Sequence, residues 1–151
     1  MTSSTEKNTA TFIHLSSLLQ YIIPFGNYIF PIVIWSAKKE ESEFVDYNGK
    51  QVLNFQLSIF IYTLIICLIE IPIFFYSIFK ESYNHSFSFD SSMVFHPFSF
   101  HHFSGITIIG IAVLFLFIFL KIIEFILIIH AAVKTSNGEY YKYPMSIPFF
   151  K

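Results

Sequence analysis

Arginine is absent. All nine basic residues are lysine, and ten acidic residues leave a net charge of −1. A binder of phosphate backbones needs a basic face to release counterions, so nucleic acid is excluded as a partner. The single cysteine, Cys67, cannot close a disulfide within the chain and reads as a small apolar residue in an apolar run. Charged residues make up only 13%, against about 25% in soluble domains, too few to cover a surface that faces water. Reaction chemistry is missing too. No nucleophile stands beside a base, no carboxylate pair has a workable spacing, and no Gly-rich phosphate loop occurs. The expectation is a non-enzymatic chain without cofactor or structural metal. Residues 1–10 are polar and lack the basic patch and cleavage site of a secretory signal. They read as a disordered tail, and 148–151 as a second short tail.

What is present is apolar. Hydrophobic residues reach 54%, with 21 Phe, and they concentrate in long runs. Residues 51–79 and 106–133 would each make roughly 40 Å of helix, enough to cross a hydrocarbon core of about 30 Å. A third apolar stretch, 11–37, is broken by Pro24, Phe25, Gly26 and Asn27. Pro24 disfavours helix before it, and Gly26 and Asn27 tolerate left-handed turn geometry. Each half is too short to span alone. Either the stretch is one kinked span, or it is a helical hairpin that dips in and returns; the four-residue turn signal favours the hairpin. The fold class is therefore all-α: a polytopic membrane protein with two long transmembrane helices (51–79 and 106–133) and a Pro/Gly-broken N-terminal hairpin (11–37). One membrane domain, 11–147, would carry an inserted external loop, 80–104.

Between these runs, Lys38–Lys50 alternates in charge and contains Asn48-Gly49, a turn signal, so it reads as a solvated connector behind an interfacial Trp35. The loop 80–104 contains His85, Asp90, His96, His101 and His102. Their spacing is irregular and no cysteine joins them, which leaves a metal or pH sensor as a weak third reading. Asn137-Gly138 should stop the last helix, and the tyrosines that follow, with Pro144, suit an interface. Lysine bias sets orientation. Lys38, Lys39, Lys50, Lys134, Lys142 and Lys151 fall on one side of the two crossings and only Lys80 on the other. The connector and C-terminus are expected in the cytoplasm of a bacterial inner membrane.

Charges inside the runs are the main functional candidates. A central Lys or Glu costs about 2.5–3.5 kcal/mol on insertion scales, so Glu70, Lys121 and Glu124 need partners. Lys121 and Glu124 are neighbours on one helix face, and an extended Lys121 could approach Glu70. These charges could form an ion or proton path, as in a small channel or transporter subunit, or a tie that fixes helix pairing. His14, Asn54 and Gln56 are polar residues on apolar helices, and polar contacts that lock helix packing are the expectation for them.

Several short motifs share an order with a known family: HisLeuSerSerLeuLeuGlnTyrIleIleProPheGlyAsn (14–27), Pro31 to Trp35, LysLysGluGluSer (38–42), PheValAsp (44–46), AsnGlyLys (48–50), LeuAsnPheGln (53–56) and AsnGlyGluTyrTyrLysTyrPro (137–144). Together they resemble a widespread family of small bacterial membrane proteins, a domain of unknown function grouped with the twenty-kilodalton subunit of the Tic machinery of chloroplast import. The resemblance covers roughly Phe12–Tyr62 and Gly105–Ile147. It rests on His14, Pro24, Gly26, Asn27, Asn54, Gln56, Asn137, Gly138, Glu139, Tyr143 and Pro144. It implies four helices with both ends on one side, no defined activity, and a link to translocation by analogy. The loop 80–104 departs from it as an insertion, and Glu70, Lys121 and Glu124 match none of its motifs. Lipid is the first partner implied, followed by a second copy of the chain or other membrane proteins as a structural or interaction subunit.

Overall fold

A computed structural model describes residues 2–84 and 105–151. Among these residues the chain is all-α. Helix α1 covers Ser4–Ser16 and runs into a 3-10 turn, Ser17–Tyr21; α2 covers Gly26–Lys38, α3 Glu43–Asn84 and α4 Gly105–Ser136. The two long apolar helices and the broken N-terminal pair are both present. Residues 85–104, and with them the sensor reading of the His-rich loop, lie outside the described residues.

Local chemistry sets the boundaries. Helix α1 starts at Ser4, earlier than the apolar pattern suggests, because Ser3 and Glu6 form a reciprocal capping box that satisfies donors at the helix start. Helix α3 also starts early, at Glu43, so Asn48-Gly49 is not a turn but helix interior. Two contacts override the local turn preference. The Asn48 side chain donates to the Phe44 carbonyl at 2.9 Å. Gly49 lies against the Trp35 indole, where an added Cβ would overlap the ring, and Trp35 donates to Asp46 at 2.9 Å. Helix α4 stops where Asn137-Gly138 predicts. Gly138 takes φ 86; its N–H donates to Thr135 O at 2.9 Å and that of Glu139 to Lys134 O at 3.1 Å, the paired pattern that closes a helix end on a left-handed glycine.

The chain divides into two compact units, Met1–Tyr62 with Leu120–Lys151, and Thr63–Phe119. The first holds the core. Ala10 and Ile13 of α1, Val52 and Phe55 of α3, and Ile128 and Ala131 of α4 are buried around Tyr143, whose ring stacks on Phe55 at 4.1 Å. In the second unit, large apolar side chains such as Leu68, Phe74, Phe115 and Phe119 face outward. The stretches Glu43–Tyr76 and Ile108–Ser136 are long and apolar enough to cross a membrane, and only 11% of the most apolar window of each is buried. A core helix of a soluble protein would be mostly covered; these present their apolar surface to the surroundings, as lipid-facing helices do.

The N-terminal hairpin turns at Ile22–Phe25. The left-handed residue there is Phe25, φ 62, rather than Gly26 or Asn27. Gly26 serves close approach, since a Cβ would meet the Leu19 carbonyl at 2.8 Å, and Asn27 turns its side chain to α3.

Candidate functional site

The first unit contains three polar locks, each tying a different segment to the long helices. The first centres on His14, which is fully buried. Its Nε2 lies 3.2 Å from Asn48 Oδ1 and its Nδ1 2.8 Å from the Tyr143 hydroxyl. Asn48 Oδ1 can only accept, so Nε2 carries the proton, Nδ1 accepts, and Tyr143 donates. Thr135 sits 3.4 Å from the same Asn48 oxygen. One neutral imidazole thereby joins α1, α3 and the C-terminal segment, and Asn48 extends the chain of contacts to α4. Burial pushes His14 down to about 4, against a smaller upward pull from the Asn48 hydrogen bond, because one neutral partner does not offset desolvation of an imidazolium there. Burial likewise pushes the Tyr143 phenol well above its usual range.

The second lock holds the hairpin. Gln20 donates to Glu124 Oε1 at 2.8 Å, while Lys121 pairs with Glu124 Oε2 at 2.8 Å. Glu124 is fully buried and Lys121 remains 31% exposed, so the buried carboxylate has a charge partner on its own helix and a hydrogen-bond partner on the hairpin. The ion pair is therefore not itself the interhelical tie; Gln20 is. Beside it, Asn27 donates to Gln56 Oε1 at 2.8 Å and Tyr28 to the Gln56 carbonyl at 3.1 Å. Glu70 belongs to the second unit and, among the described residues, makes no ion pair.

The third lock is the C-terminal strap. Asn54 Oδ1 accepts from the Phe149 and Phe150 amides at 3.0 and 2.8 Å, and Asn54 Nδ2 returns a bond to the Phe150 carbonyl at 3.0 Å. Ser58 accepts from the Ile147 amide at 2.8 Å, and Tyr62 donates to the Met145 carbonyl at 2.8 Å. Asn54, Ser58 and Tyr62 of α3 thus meet the backbone of the C-terminal segment and not a neighbouring helix. Pro144 and Met145 form the turn that starts the strap, with Met145 at φ 61. Glu139 pairs with Lys134 at 2.7 Å, pinning the strap to the end of α4.

The structure thus brings His14 to Tyr143, Asn27 to Gln56, and Lys121 to Glu124, uses Pro24, Asn137, Gly138 and Pro144 in turns, and sets Gly26 against Leu19. Sequence reasoning missed Gln20, Asn48 and Thr135. Asn48 and Thr135 carried a signal: each is a polar residue one helical turn from an apolar one, Phe44 and Ala131 respectively.

A model of magnetosome magnetite crystal formation proteins (MamF/MmsF) matches residues 5–150, nearly the whole chain. The chain belongs to the magnetosome magnetite crystal formation protein family. No curated protein and no solved structure matches it. Membership of the MamF/MmsF family replaces the resemblance to the Tic import subunit, and the link to translocation falls with it. The physical reason is visible in the three locks: the shared motif residues are packing and turn residues. They report a way of fastening a hairpin and a strap to two long helices, and such architecture does not fix function.

Proposed function

We propose that this MamF/MmsF-family chain is an integral protein of the magnetosome membrane that supports magnetite crystal formation as a non-enzymatic structural or interaction component. The single observation that carries the reading is the family match across residues 5–150. The geometry supports it. The buried polar groups of His14, Asn54 and Glu124 are engaged with Tyr143, with the strap and with Gln20 and Lys121, which suits a rigid scaffold. The outward apolar surface of α3 and α4 suits lipid, a second copy or another membrane protein. The lysine bias supports a cytoplasmic connector and C-terminus. The intramembrane charges are a tie in this reading, because Lys121 neutralises Glu124 from the same helix and Gln20 takes the other oxygen.

Deleting the chain from a magnetite-forming bacterium tests the role. The expected result, by electron microscopy, is a changed crystal size distribution inside membrane compartments that still form. Crystals identical to wild type contradict it.

A further inference from the structure

We propose that the N-terminal hairpin is a wedge for one lipid leaflet: α1 and α2 enter the membrane from the side of their own ends, and the turn Tyr21–Phe25 stops inside the acyl chains. The proposal rests on α3 and α4 spanning the bilayer and is otherwise independent of the magnetite role. Three observations carry it.

The feet stand together. Ser3, Thr5, Glu6 and Thr9 at the cap and start of α1 share one cleft of about 250 Å³ with Lys38 at the end of α2, Glu41 and Ser42 just after it, and Val45 of α3. Both ends of the hairpin therefore lie at the polar start of α3.

The long helices bound how deep the tip lies. Gln20 reaches Glu124, roughly 14 Å along α4 from Val133, where its apolar run ends, at 1.5 Å per residue. Asn27 reaches Gln56, roughly 8 Å along α3 from Gln51, where the other apolar run begins. Both contacts lie within one leaflet, roughly 15 Å or half of a hydrocarbon core of about 30 Å.

The tip is built for an apolar solvent. Ile22 is 78% exposed and Phe25 69%, with Tyr21 and Ile23 exposed beside them. A turn in hydrocarbon must satisfy its own backbone, and five amides here find carbonyls within the hairpin. The amides of Ile22 and Ile23 donate to Leu19 O, that of Gly26 to Ile23 O, and those of Tyr28 and Ile29 to Phe25 O, all at 2.8–3.1 Å; Pro24 has no N–H to satisfy. A hairpin seated this way adds its cross-section to one leaflet alone, whereas a spanning helix adds to both. Insertion of that kind is sensitive to membrane curvature.

The test uses the full chain in lipid vesicles, in a Cys67→Ala background, with single substitutions Asn8→Cys, Glu40→Cys, Ile22→Cys and Ser91→Cys. A water-soluble maleimide should label Asn8→Cys and Glu40→Cys from the same face, Ser91→Cys from the other, and Ile22→Cys from neither. A fluorophore placed at position 22 should be quenched by lipids carrying a quencher on the acyl chain. Wild type should also partition several-fold into small over large vesicles, and Ile22→Glu with Phe25→Glu, both exposed, should abolish the preference. Opposite-face labelling of positions 8 and 40 makes the stretch a kinked span and overturns the wedge. So does labelling at position 22 as fast as at 40, protection there without lipid quenching, or indifference to vesicle size. Labelling of positions 40 and 91 from one face instead refutes the spanning helices.

Discussion

His14 is the residue on which most segments converge, and its chemistry fixes a pH dependence. The unfolded chain takes up the proton near 6.5 and the folded chain only near 4. Stability is therefore full above pH 6.5 and declines as pH falls through that window toward 4. Thermal unfolding in detergent between pH 7.5 and 4.5 should show it, and His14→Gln, which cannot be protonated, should flatten the slope. A slope unchanged by the substitution would mean that His14 is not the group responsible. Its polarity on an apolar helix was legible in the sequence, as was that of Asn54 and Gln56. Their partners were not. Asn48 lies beside Gly49, and the pair reads locally as a turn until the Trp35 ring that covers Gly49 and the Phe44 carbonyl that accepts from Asn48 are in place.

Among the elements, α4 shows how a charged pair survives in an apolar helix. Lys121 and Glu124 are one turn apart, so neither needs a charge from elsewhere. Lys121→Leu leaves a buried carboxylate with only Gln20 and should cost on the order of 1–3 kcal/mol, between the exposed and fully buried limits. Adding Glu124→Leu removes the stranded charge and should recover most of that loss. Denaturation of the single and double variants in detergent measures both. A double variant as unstable as the single one would show that the pair itself, not the isolated charge, matters. The long helices were legible because long apolar runs do not depend on tertiary contacts. The helix starts were less so: a capping box extends α1 to Ser4, and packing of Phe44 and Val45 carries α3 back to Glu43. The hairpin break at Pro24 was legible, but not which residue takes the left-handed conformation, since that depended on the approach of Gly26 to Leu19.

For the whole molecule, an apolar core fastened by three polar locks and a large outward apolar surface suit a membrane protein, the setting that the MamF/MmsF family gives. Fold class was readable from hydrophobic length alone. Family was not, because the motifs that stand out are the ones any chain would need to close this hairpin and strap. The central claim is that this scaffold acts through its shape in the membrane and not through its buried charges. The most direct measurement restores a deletion strain with wild type or with Lys121→Leu and Glu124→Leu together, at equal membrane levels, and compares magnetite crystal sizes. The account predicts that both restore the wild-type distribution. Restoration by wild type alone would contradict it and give the charges a working role.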